Sequence, residues 1–382
     1  MRRPARRHRD DIERTGDHVV ACEDEDRPWL FVRRLVPPDL TAPLLIILLR
    51  IGQGLALGGE YGGAAIYVAE HAPPGKAGYY TSFIQASVVG GFILSLAVVL
   101  GFKAMVSEAA WPAWGWRLPF LFSILLLAVS LWMRLKLSES PVFRALKEAG
   151  EINANPFKAS FTYPGNLKRL FVALFGIAAG LTVIWYTAMF SVLAFLQNPL
   201  RVDQTVAQII AAAGALIGLV FYVLTGAISD RIGRKKPIVI GYALTLVLLF
   251  PLFWAIGYAA GNGAGAPPGE SFVPDAGSIA LILAPIIGLM ALSGLTYGSV
   301  AALLAEMFPP NIRYSSMSIP YHFGTGYFGG FLPLISAYVV ARSGDPYAGL
   351  WYTWGVVAMA LVVTLFWLPE TAGRKRDQAA DR

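Results

Sequence analysis

The stretch GAISDRIGRKK, residues 226–236, decides how this chain is read. An apolar run over roughly 205–228 ends there. Five charges fall within residues 230–236, and a second apolar run begins near 237 and lasts to about 260. Each run is long enough, at about 20 residues of helix, to cross the hydrocarbon core of a bilayer. No water is available in that core, so backbone polar groups must be satisfied within the segment, which favours helix. A short, basic turn between two such helices is the pattern of a loop held on one side of a membrane.

The rest of the chain extends the pattern. Of 382 residues 56% are apolar and only 14% charged, too little charge to cover a soluble protein of this size. Nine spans are predicted, near 42–69, 79–105, 115–136, 168–197, 205–228, 237–260, 277–305, 316–342 and 348–368. The fold class is therefore all-α and polytopic. Residues 137–167 form the longest polar connection and suit an amphipathic helix lying on the membrane surface. The Gly/Pro-rich stretch at 259–278 reads as a loop. With basic residues placed in loops, the net charge of +7 is a topology signal and no sign of nucleic acid. One cysteine, Cys22, offers neither a disulfide nor a metal cluster. No phosphate loop, metal-binding helix or nucleophile elbow is present, so no enzyme, metal or cofactor is predicted. No secretory signal pattern appears in residues 1–40.

Lys and Arg counts set the expected orientation. The ends that hold Lys76, the 134–169 connection, the 231–236 turn, Arg313 and the 374–382 tail carry 17 basic residues. The opposite ends carry four: Lys103, Arg117, Arg201 and Arg342. The first set, and with it the C-terminus, is expected in the cytoplasm, which makes this a multi-pass protein of the cytoplasmic membrane. Residues 1–40, with nine arginines and no lysine, then fall on the wrong side.

An internal repeat organises the motifs. YVAEHAPPGKAG (67–78) and LLAEMFPPNIRY (303–314) share Ala-Glu-x-x-Pro-Pro, which aligns Glu70 with Glu306. Two spans later come LSESPVF with Glu139 and LPETAGR with Glu370, at separations of 69 and 64 residues. Asp230 precedes Glu306 by 76 residues, and its counterpart would fall before residue 1. The repeat predicts six spans per half in a complete copy.

These motifs resemble the major facilitator superfamily, and within it the metabolite:proton symporters. LLRIGQGLALGGEYGGAAIYVAEHAPPGKAG (48–78) looks like the family's fourth helix and following turn, and GAISDRIGRKK like its signature turn between helices eight and nine. AEMFPPNIRYSSMSIPYHFGTGYFGGFLPLI (305–335) is similar to the turn before helix eleven and that helix itself. The resemblance covers 41–373 and lacks the first three helices. It implies a basic head at 1–40 outside the family pattern, a partial N-terminal bundle at 41–136, a cytoplasmic linker at 137–167, a six-helix bundle at 168–368 and a tail at 369–382. It implies transport of a small polar metabolite, an organic acid by preference and a betaine-type osmolyte as the alternative. Transport would be coupled to a proton by alternating access in a monomer, with the lipid bilayer as solvent. A third expectation is a truncated fragment that binds substrate weakly, through a frame disruption or misplaced start before residue 40.

Two sets of residues carry these expectations. A cytoplasmic latch would use Glu70, Glu139, Asp230, Arg231, Gly233, Arg234, Glu306, Arg313 and Glu370 as charge pairs at helix ends. The family pattern has a basic residue seven after the glutamate. Arg313 supplies it after Glu306, but Ala77 stands there after Glu70, with Lys76 beside it. The substrate and proton candidates are Arg50 and Glu60, since ionisable groups within a span face an interior or a wet cavity. The polar and aromatic residues Gln85, Trp185, Tyr186, Tyr297, Tyr321 and His322 join them. Small-residue rows at Gly54/Gly58/Gly62, Gly59/Gly63 and Gly326/Gly330 predict close helix packing, and Pro285, Pro320 and Pro333 predict hinges.

Overall fold

The computed structural model describes residues 38–58, 60–136, 155–261 and 270–372, with a few isolated positions between 144 and 150. The head at 1–37, most of 137–154 with Glu139, and the tail beyond 372 lie outside the described residues. Among those described, eight helices are long and apolar enough to cross a membrane, and no strand forms beyond an isolated bridge between Val202 and Phe272.

The chain divides into two units, Met1–Leu57 and Gly58–Arg382. The first contributes α1 (Pro38–Leu57), which includes the apolar stretch Pro43–Gly54. The second begins with α2 (Glu60–His71). The span expected at 42–69 is thus two helices. Gly52, Gly54, Gly58 and Gly59 explain the break, since each costs about 1 kcal/mol relative to alanine in a helix.

In the second unit α3 (Ala77–Met105) is followed by α4 (Leu118–Lys136). A short surface helix, α5 (Pro156–Thr162), is capped by Asn155, whose side chain accepts from Lys158 N at 2.9 Å. It occupies part of the segment expected to lie on the membrane. Six helices complete the unit: α6 (Asn166–Gln197), α7 (Gln204–Ile232), α8 (Lys235–Ala259), α9 (Ala276–Met307), α10 (Arg313–Ser343) and α11 (Leu350–Trp367). The helix α6 is the most enclosed, with 72% of its apolar window buried, against none for the Gly115–Met133 span. The core therefore sits among α6–α11.

The interruptions differ from those the prolines predicted. Pro285 and Pro320 lie inside unbroken helix. The irregular turns are π-helical, at Val172–Ala178 and Thr187–Ser191 in α6 and at Thr325–Gly330 in α10, just before Pro333. Side chains take up backbone groups at the first. Tyr242 Oη donates to the carbonyls of Gly176 and Ile177 at 2.9 and 3.1 Å, and Thr364 Oγ1 to Gly176 at 2.8 Å. The third turn shifts the close-packed glycines. Gly326 faces open space and Gly330 little else, as does Gly54, whereas a Cβ on Gly329 would meet Thr182 and Tyr186. Of the expected rows, Gly62 is tight, against Ser318.

Candidate functional site

One end of the second unit carries a charged cluster. The tight turn between α7 and α8 uses Gly233 at φ +99°, a region that favours glycine. A Cβ there would also collide with the Glu370 carboxylate. The turn delivers Arg234, which is 3% exposed, into the cluster. Its Nη1 donates to Asp230 Oδ1 at 2.8 Å and to Ser229 Oγ at 2.7 Å. Its Nη2 and Nε form a fork on Glu306, at 3.0 and 3.3 Å. Burial works to lower the guanidinium's pKa, but the bonds and charges of Glu306 and Asp230 outweigh it and hold the pKa above its ordinary value. Thr371 Oγ1 donates at 2.8 Å to Glu306 Oε2, the oxygen that Arg234 Nε also reaches.

Two of the carboxylates also cap helices other than their own. Asp230 accepts from Gly78 N and Tyr79 N, both at 2.8 Å, and so satisfies free amides at the start of α3. The α3 helix has no side-chain cap of its own at Lys76. Glu370 accepts from Arg234 N at 2.7 Å and Lys235 N at 3.2 Å at the start of α8, and from Thr371 N and Ala372 N. Desolvation would raise the Glu370 pKa, but the four amides prevail and hold it below the ordinary 4.5. At Gly78 the approach of α3 to α7 is close: a Cβ would clash with Arg234 and stand 2.6 Å from the Gly226 carbonyl.

A second pair lies at the same end. Arg313 Nη1 donates to Glu70 Oε1 at 2.8 Å, with the side chains only 9% and 4% exposed, and Arg313 Nε donates to the Phe308 carbonyl at 3.2 Å. This pair joins α2 to α10, and the Asp230 cap joins α7 to α3. Both contacts tie the segment before residue 137 to the segment after 155.

Further along the helices lies a neutral cluster. Gln85 Nε2 of α3 donates to Tyr61 Oη of α2 at 2.5 Å. The Tyr61 ring stacks on Tyr321 of α10, with centroids 4.0 Å apart and planes 5° from parallel. Tyr321 Oη shares a 2.8 Å hydrogen bond with Tyr297 Oη of α9. On α6, Trp185, Tyr186 and Phe190 pack ring on ring at 5.1–5.7 Å, and Phe92 of α3 meets Phe190 edge-on at 5.6 Å. His322 stands edge-on to Tyr321 at 5.4 Å, with Nε2 buried and without a partner.

The structure thus gathers Asp230, Gly233, Arg234, Glu306 and Glu370 in one cluster, pairs Glu70 with Arg313, and links Gln85, Tyr297 and Tyr321. It leaves other candidates apart. Arg231 is exposed on α7. Arg50 belongs to the first unit, exposed, with Nη1 donating to Gln53 Oε1 at 3.1 Å. Glu60 opens α2 at an exposed position. Sequence reading missed Tyr61, Gly78, Ser229 and Thr371. Tyr61 had a signal, since it directly follows the candidate Glu60 in GGEYGG. The other three had none, because each acts across a helix pair.

The Major Facilitator Superfamily model matches residues 30–267 and 187–382. The chain belongs to the Major Facilitator Superfamily. It is 31% identical over 331 residues to the alpha-ketoglutarate permease of Escherichia coli K12, covering 85% of this chain and 69% of that protein. It is 31% identical over 330 residues to the inner membrane metabolite transport protein YhjE of the same strain, covering 85% and 70%. It is 30% identical over 343 residues to the glycine betaine/proline/ectoine/pipecolic acid transporter OusA of Dickeya dadantii strain 3937, covering 87% and 64%. The chain thus spans about two thirds of the length of these relatives, which are transporters and not enzymes. The fold is similar to that of the proton:xylose symporter XylE, with TM-score 0.57 and 19% identity over 81% of this chain and 68% of that one.

Proposed function

We propose that this superfamily member carries a small carboxylate-bearing metabolite together with a proton across the cytoplasmic membrane. It works by alternating access between the bundles at 41–136 and 168–368, as a monomer. The observation that carries this reading is the pair of ties at one end, Glu70–Arg313 and Asp230 on the start of α3. They join segments from the two halves at the end that this reading puts in the cytoplasm, which supports a state closed on that side. Opening there requires both to break. The neutral cluster offers hydrogen bonds and ring faces to a bound solute, and His322 and Glu60 are the proton candidates.

Two headgroup chemistries follow. An organic acid is favoured by Arg50, a cation within the apolar stretch of α1. A betaine-type zwitterion is favoured by the Trp185, Tyr186 and Phe190 rings, since ring faces attract a quaternary ammonium. Uptake into proteoliposomes, acidic outside, tests the reading. It should collapse on addition of a protonophore, and protonophore-insensitive uptake would sink the proton-coupled part. Arg50→Ala should abolish uptake of a dicarboxylate and spare a betaine; equal loss of both would remove the role of Arg50.

A further inference from the structure

At the end of the bundle away from the charged cluster, α8, the start of α11 and the turn that holds Asp345 and Tyr347 line an open cavity of about 480 Å³, within the range of small-ligand sites. Phe250 lies 15 residues along α8 from Lys235, about 22 Å from the turn. Trp351 opens α11, whose other end leads to Glu370. The lining residues Phe250, Trp254 and Trp351 present rings to this space. Phe250 and Trp351 stand 4.7 Å apart at 51°, and Phe250 and Trp254 6.1 Å apart at 47°.

The one charged side chain among the lining residues is a carboxylate. Asp345 supplies a carboxylate, held in its turn by Tyr347 N at 2.9 Å. Pro251 sits inside α8 and has no N–H, so the carbonyl of Val247 loses its helical donor, and Val247 lines the same cavity. The neighbouring carbonyl of Leu246 is already taken by Trp354 Nε1 at 3.1 Å. No lysine or arginine lines the space. Tryptophan near a helix end ordinarily marks the membrane interface. An interfacial belt needs no concavity, no carboxylate and no interrupted backbone ladder.

We propose that this cavity is a binding site for an onium cation, a quaternary or other alkylammonium group held on the rings of Trp351 and Phe250 beside Asp345. The site is separate from the neutral cluster near Tyr321, and it stands whatever the transported substrate is. A free solute and a lipid headgroup carry the same chemistry, and the test separates them.

The full chain in nanodiscs of phosphatidylglycerol is titrated with choline and with its uncharged isostere 3,3-dimethylbutan-1-ol, followed by calorimetry. Choline should bind about tenfold more tightly than the isostere. Trp351→Leu and Asp345→Asn should each weaken choline severalfold, Trp351→Phe should retain it, and Trp132→Leu on α4, an exposed residue that does not line the cavity, should leave it intact. If choline titrates equally in phosphatidylcholine discs, a free solute is the ligand. If the headgroups abolish the titration, the lipid is. Equal affinity for the isostere would overturn the proposal, as would choline binding that survives Trp351→Leu but is lost in Trp132→Leu.

Discussion

Arg234 and Arg313 stand at the same end of the molecule, and each closes on a glutamate from the Ala-Glu-x-x-Pro-Pro repeat. Arg313 meets Glu70 of the first copy, and Arg234 meets Glu306 of the second. Beyond that the two centres differ. Arg313 has a single carboxylate partner and one backbone carbonyl, and the second Glu70 oxygen is buried without a partner. Arg234 has two carboxylates and a serine hydroxyl, and its partners are tied onward to Thr371 and to the start of α3. The difference follows from the sequence at one position. The first copy has Ala77 where the second has Arg313, so Glu306 has no arginine from α3 to meet. The small residues Ala77 and Gly78 leave space at the start of α3 that Arg234 fills. The lesson is that a repeated motif fixes where charges stand, while a local loss decides which charges pair.

The comparison can be broken at its stronger centre first. Arg234→Ala strands Glu306 and Asp230 among buried groups and should cost about 5 kcal/mol, the upper end for breaking a buried pair, read as lost thermal stability in detergent. Arg313→Ala strands Glu70 alone and should cost less, about 3 kcal/mol; a larger loss there than at Arg234 would invert the ranking. Gly78→Ala forces α3 away from α7 and should cost about 2 kcal/mol through overpacking. It leaves Arg313 untouched, so the added loss in a Gly78→Ala/Arg313→Ala double variant should be additive. Tyr321→Phe keeps the stack on Tyr61 but leaves Tyr297 Oη without its hydroxyl partner, a loss of about 1 kcal/mol.

The smallest effect is gated by pH. The folded Glu370 carboxyl titrates below its ordinary value, so its contribution is present above about pH 4.5 and is lost as pH falls through the depressed folded value. Melting curves from about pH 6 to about pH 3 should show a stability loss in the native chain that is reduced in Glu370→Gln.

Much of this was legible in the chain itself. Long acid-free runs gave the spans, and the repeat picked out Glu70, Glu306, Arg313, Asp230, Arg234 and Glu370 as helix-end charges. The pairing was not legible, because Asp230 and Glu370 act as caps for helices far away in sequence, and a cap across helices leaves no local spacing to read. The π turns were hidden for the same reason: Tyr242 and Thr364, which accommodate the first, lie on other helices. Glycine rows predicted packing faces at a uniform helical period, and the turn at Thr325–Gly330 moved the tight position to Gly329. The break after Leu57 was written in the glycines of GQGLALGGEYGG, but the apolar run across it concealed it.

The most direct test of the account is a distance across the charged end. With the single Cys22 replaced by serine, spin labels at Lys76→Cys and Lys236→Cys report the separation of α3 from α8 in liposomes by pulsed dipolar spectroscopy. The account predicts one short distance for the otherwise native chain and a second, longer population when Asp230→Ala and Arg313→Ala are added together, since both ties that hold this end closed are then lost. An unchanged single distance in the Asp230→Ala/Arg313→Ala chain would contradict it.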